Sequence, residues 1–142
     1  MSIHITSNTR SLCIRPTSKA ELRSLIKQEL ERQGPDADLN FIDVSQITNM
    51  ARLFGGLKIG NIKIEWWDVS NVTDMSNMFC FCYDFNCDLS HWDVSNVKNM
   101  DFMFAHCYTL KCNLSKWRPD VDELFDTFNE CKLMTADLLP HF

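Results

Sequence analysis

Seven cysteines, four histidines and a recurring Asp-Val-Ser motif are the residues of this chain whose types and spacing could do chemistry. The cysteines are Cys13, Cys80, Cys82, Cys87, Cys107, Cys112 and Cys131, an odd number that cannot all pair within one chain. Cys80-Phe81-Cys82 and the gaps from Cys82 to Cys87 and from Cys107 to Cys112 superficially resemble zinc-ligand pairs. Zinc needs ligands that converge tetrahedrally. Here Cys82, Cys107 and Cys131 share one position of a repeat, and Cys87 and Cys112 share another. Stacked repeats turn such positions into columns, and a free cysteine in a column behaves as a small hydrophobe. Cys80 stands off both columns and is the best candidate for an exposed thiol. Asp68-Val69-Ser70-Asn71 and Asp93-Val94-Ser95-Asn96 could suggest calcium, but they lack the glycines of calcium-binding repeats and read as turn caps. His4, His91, His106 and His141 have no serine or cysteine partner placed by any motif, and the four glycines form no phosphate loop. Asn71-Val72-Thr73 and Asn113-Leu114-Ser115 match glycosylation acceptors only as by-products of the repeat. The expectation is a protein without catalytic residues, metal or cofactor.

The elements behind these residues follow from self-comparison. Asp43–Met50 recurs as Asp68–Met75 and again as Asp93–Met100, a period of 25. Phe54, Phe79 and Phe104 keep that register, as do Trp67, Trp92 and Trp117. A fourth copy from Arg118 is one residue short, with Val121, Leu124 and Phe128 in the places of Val97, Met100 and Phe104. A period of this length with one short alternating segment per copy is a leucine-rich-repeat signature. The alternation in Phe85–Leu89 and Leu110–Leu114 predicts parallel strands near 61–65, 86–90 and 111–115, with Phe85, Cys87 and Leu89 inward and Asn86, Asp88 and Ser90 outward. Met103–Ala105 reads as a single helical or 3₁₀ turn. Before the repeats, Ser18-Lys19-Ala20-Glu21 is a capping box, and Leu22, Leu25, Ile26 and Leu30 follow at helical spacing until Gly34 and Pro35. A helix over about 18–33 is expected to cover the open end of the first repeat.

Trp67–Phe79 and Trp92–Phe104 resemble the BspA-like leucine-rich-repeat family of bacterial surface proteins, and so does the lead-in Thr17–Leu22, Gly34–Asn40 and Ile42–Ser45. The resemblance covers roughly residues 14–131 and implies a right-handed solenoid with a protein-binding role, commonly adhesion. The expected fold is therefore an α/β repeat: a right-handed leucine-rich-repeat-like solenoid of about four 25-residue coils with an N-terminal helical cap. The expected organisation is one structural domain, with a cap at 1–42 and coils at 43–67, 68–92, 93–117 and 118–142, the last serving as C-terminal cap.

Composition bounds the function. Apolar residues make up 45% of the 142, enough to build a core without disulfides. A net charge of −5 argues against nucleic acid, which needs a basic stripe, and against anionic membranes. It suits a basic partner protein. Met1–Asn8 carry no apolar leader region, no run approaches the ~20 residues of a membrane span, and no anchor follows Leu138. The expected place is the cytoplasm, or the cell surface or exterior if the chain is trimmed.

Positions that vary between repeats are expected at the surface, so an aromatic there marks an interface. Trp66 takes the slot of His91 and Lys116, Phe102 that of Arg52, Asn77 and Asp126, and Phe81 that of Gly56 and His106. Tyr83 and Tyr108 share the slot of Lys58. The candidate partner-binding residues are Trp66, Phe81, Tyr83, Asp88, His91, Phe102, His106, Tyr108, Lys63 and Glu65. The expected function is a non-catalytic protein–protein interaction module acting as an inhibitor, immunity or phage- or defence-related binder, monomeric or a small homo-oligomer. A bacterial surface adhesin, or a fragment of one, is the second reading.

Overall fold

A computed structural model of the protein describes residues 14–124 and 126–141. The leader reading at 1–8, His4 and Cys13 fall outside them. The first element is helix α1, Lys19–Gln33. Its first turn is fixed reciprocally: the Ser18 hydroxyl accepts from the Glu21 N–H, and the Glu21 carboxylate accepts from the Thr17 N–H. Gly34, at φ 93°, ends it by donating its N–H to the Leu30 carbonyl. Leu22, Leu25 and Ile26 are buried against the repeats. Glu29 is buried with them and satisfied by Arg32 and Gln33; the Arg32 guanidinium holds its carboxyl below the usual carboxylate range.

The fold class expected from the sequence is corrected by the structure. Among the described residues there is one α-helix, one 3₁₀ turn (Ala136–Leu138) and four isolated parallel bridges, with no strand and no sheet. A leucine-rich-repeat solenoid of short parallel strands is not what the chain forms; Met103–Ala105 lies in a turn in which the Met103 N–H donates to the Met100 carbonyl and the Ala105 N–H to the Phe102 carbonyl. Two physical causes are visible. Where strands were expected, backbone bonds to a neighbouring segment are few, at Lys63 and Leu114, and side chains bond the backbone at other positions. The Lys111 N–H donates to the Asn86 side chain, the Asn61 N–H to the Asp36 carboxylate, and the Leu89 N–H to the Cys112 sulfur. The alternation survives only as burial, with Phe85, Cys87 and Leu89 inside. Where backbones do bond each other, in the segments around 50–54, 75–81 and 100–106, left-handed residues break the extended conformation. These are Arg52, Asn77 and Phe102 in one column, and Gly56, Phe81, His106 and Glu130 in another.

Equivalent positions of successive repeats nonetheless lie against each other. The N–H groups of Met50, Arg52 and Phe54 donate to the carbonyls of Asp74, Ser76 and Met78. Those of Met75, Asn77, Phe79 and Phe81 donate to Asn99, Asp101, Met103 and Ala105. The rings of Phe54, Phe79, Phe104 and Phe128 form a buried pile 5.1, 5.5 and 5.4 Å apart. Trp67, Trp92 and Trp117 form a second pile at 6.5 Å, each indole N–H donating to a carbonyl of the preceding segment (Leu39, Ile64 and Leu89). Buried Trp must find such a partner for its N–H.

The corners are Asx turns. Asp43, Asp68 and Asp93 accept from the backbone N–H two residues on, at Ser45, Ser70 and Ser95. Asn71 and Asn96 then donate to the Ser45 and Ser70 carbonyls one repeat back. Helix α1 closes the first repeat in the same register. The carbonyls at 76 and 78, and at 101, 103 and 105, are bonded by N–H groups of the repeat before. Their counterparts in the first repeat, Ala51, Leu53 and Gly55, have no earlier repeat. Lys19 bonds Ala51, and Arg23 bonds Leu53 and Gly55 at 2.7 Å each. Spaced four apart, the two cations share one helix face.

Two predictions follow from these contacts. Arg23→Met should lower unfolding free energy by about 2–3 kcal/mol, because partly buried carbonyls lose charge-assisted bonds. Lys27→Met, exposed on the same helix, should stay within about 0.5 kcal/mol in urea titrations. The Ser45 hydrogen bonds, aided by Arg15, pull the Asp43 carboxyl from 3.8 down to about 2, and the Ser90 and Ser95 hydrogen bonds lower Asp88 and Asp93. A carboxyl lowered in the folded state stabilises it above the unfolded pKa and ceases to as pH falls. Melting temperature should therefore drop as pH falls from 3.8 towards about 2. In Asp43→Asn, which keeps the turn without the titration, the acid-induced drop should be smaller.

Candidate functional site

The two left-handed columns decide which side chains leave the core. A non-glycine residue pays roughly 1–2 kcal/mol for this conformation, and only Gly56 avoids it. At φ 62° Phe81 is 56% exposed, and at φ 57° Phe102 is 40% exposed. Their repeat-matched neighbours Phe79 and Phe104 are fully buried.

Four of the candidate residues come together. The Phe81 and His106 rings stack at 4.7 Å, and the Tyr83 and Tyr108 rings at 5.2 Å. Phe81 meets Tyr83 edge-on at 6.3 Å, and His106 meets Tyr108 edge-on at 5.9 Å. The His106 Nδ1 and the Tyr108 hydroxyl are 3.2 Å apart. The Lys132 ammonium lies 5.7 Å from the Tyr108 ring centre, within cation–π range. Two consecutive repeats thus present the same two-ring unit side by side, with Tyr83 half-exposed and Tyr108 nearly so.

Trp66, the most exposed aromatic at 72%, stacks on His91 at 6.3 Å in a separate pair. Its N–H is held by Asn40, which also bonds Glu65. Glu65 accepts from the Cys87 thiol as well. Asp88 is held in its turn by Ser90. Lys63 pairs through its backbone with Ala37 and Leu39. Phe102 stacks on no ring of either group.

Two hollows flank Phe81. The larger, about 590 Å³, lies between α1 and the first two repeats, lined by Lys19, Arg23, Arg52, Gly56 and Cys80 among others. The smaller, about 360 Å³, runs along Leu57–Ile59 to Tyr83 and Asp84. The sequence reading missed Lys132 and these cations. Lys19 and Arg23 stand four apart on a capping helix, a spacing legible in advance, but Arg52 joins them only through the fold.

Among the described residues no group of three or more His, Cys, Asp or Glu side chains is placed to hold a metal ion. The role of the cysteines is more than packing. Cys82, Cys107 and Cys131 donate their thiols to the carbonyls of Phe54, Phe79 and Phe104, at 3.8, 3.0 and 2.8 Å. Burial pushes Cys82 and Cys87 up to about 12 and Cys131 to about 11, and raises Cys107 as well. Cys80 is half-exposed.

A family model described as "Mycoplasma protein of unknown function, DUF285" matches residues 23–141. The chain belongs to that family. The match takes in most of α1 and the Phe81–Tyr108 cluster, and it holds every lining residue of the two hollows except Lys19. No curated protein and no solved structure matches the chain. No described helix is long and apolar enough to cross a membrane.

Thiol labelling checks the cysteine assignment. Under native conditions iodoacetamide should modify Cys80 well before Cys82, Cys107 or Cys131, which should react only as the protein unfolds. Peptide mass spectrometry over a time course reads the order, and early labelling of Cys107 would contradict it.

Proposed function

We propose that this chain is a non-catalytic protein-binding module whose docking surface is the ring cluster Phe81, Tyr83, His106 and Tyr108. The observation that carries the reading is the stacking of the exposed Phe81, Tyr83 and Tyr108 rings and the partly buried His106 ring on adjacent repeats, with Phe81 and His106 held in a strained backbone conformation. Strain of this kind persists where the surrounding structure over-determines it and clusters at functional positions. Tyrosine and other aromatics also dominate binding energy at interfaces. The resemblance of the repeat to the BspA-like family supports the same role. So do the buried, protonated thiols, which suit a reducing cytoplasm. There the module would hold one partner protein as an inhibitor or immunity-type binder.

The test begins with capture of the partner from the native host and its identification by mass. The purified partner is then titrated against variants. Tyr108→Ala should cost at least about 2 kcal/mol of affinity with little change in melting. Trp92→Ala should cost about 3–5 kcal/mol of folding stability. Should Tyr108→Ala bind as the parent does, or melt as early as Trp92→Ala, the cluster is not the docking surface.

A further inference from the structure

The larger hollow stands out by its charge. The chain carries 19 acidic residues against 14 basic ones, yet the charged residues lining this hollow are Lys19, Arg23 and Arg52, with no carboxylate among them. The ion pairs of the described residues are Arg15–Asp43, Arg32–Glu29, Lys98–Asp120 and Lys132–Glu130, and none involves these three cations. Lys19 and Arg23 spend hydrogen bonds on backbone carbonyls, which leaves their charge unneutralised. Arg52 is exposed and lines the hollow, and no ion pair among the described residues holds its guanidinium. The rest of the lining is largely carbon, including Ala51, Gly56 and the Phe81 ring.

We infer that the hollow between α1 and the first two repeats binds an acidic peptide segment of the partner, a carboxylate against Arg52 and an adjoining apolar side chain against Phe81. The inference rests on the protein-binding reading above and gives the partner its chemistry. Charge complementarity selects an anion, and guanidinium groups pair with carboxylates in fixed geometry. The carbon lining selects a peptide, which carries an apolar side chain beside its carboxylate, over a polyphosphate. The second hollow shares Gly56 and Phe81 with the first, so an extended segment lying along the ring would reach both. Gly56 leaves the passage open, with no atom within 4 Å of where a Cβ would stand.

Fluorescence anisotropy on the full chain tests this with labelled peptides that share a Leu-Phe centre flanked on both sides by Glu, by Gln or by Lys. The Glu peptide should bind, the Gln peptide about tenfold more weakly, and the Lys peptide more weakly again. Arg52→Glu should weaken the Glu peptide about tenfold while melting with the parent. Phe81→Gly, which installs the residue found at the same corner of the first repeat, should weaken it without unfolding the chain. Equal binding of the Glu and Gln peptides, indifference to Arg52→Glu, or displacement by inorganic phosphate or a short oligonucleotide would overturn the inference. Loss of partner binding in Tyr108→Ala but not in Arg52→Glu would leave the ring cluster standing and remove the hollow.

Discussion

The bond between a backbone group and its counterpart one repeat away governs everything else in this protein. The second and third repeats present carbonyls that accept from N–H groups of the repeat before. Buried carbonyls left without a donor would cost about 1–3 kcal/mol each. Hence the indoles, thiols and asparagine side chains also reach back to carbonyls of the preceding repeat. Hence too the first repeat needs donors from elsewhere. Lys19 and Arg23 supply them at the three register positions where an earlier repeat would have placed its own N–H groups. The cap is a substitute for a missing neighbour, and the cationic hollow beside Phe81 is its by-product.

The sequence disclosed periodicity and burial far better than it disclosed backbone conformation. Matches at a spacing of 25 placed Phe79, Phe104, Trp92 and Trp117 in the core and Phe81, Tyr83 and Tyr108 outside it, as they are. The capping box placed α1 within a residue at its start. The strands were misread because alternation reports which side chains are buried, not what the backbone bonds. At 86–90 the alternation holds, but Asn86 and Cys112 side chains occupy the positions that neighbouring carbonyls take in a sheet. The left-handed corners were illegible for a related reason. Glycine marks such a corner only at Gly56, and nothing in Phe81, Phe102 or His106 announces one.

The candidate site was legible in part. Repeat-breaking aromatics identified Phe81, Tyr83, His106 and Tyr108, yet only the structure separates these from Trp66–His91 and from Phe102. Lys132 comes from the shortened fourth repeat, where alignment by period is weakest. Cysteine columns were expected to be inert filling. Their thiols instead serve as rungs, which explains why a small donor rather than an alanine suits the position.

The reach of these rungs has a mechanical consequence. Among the described residues, the hydrogen bonds between repeats join neighbours only, spanning at most 28 positions. Load applied to the two ends would therefore not be shared across the molecule. It would fall on one interface at a time, and the chain would extend in steps of a single repeat, the first two interfaces each releasing a phenylalanine, a tryptophan and a thiol together and the last a phenylalanine and a thiol.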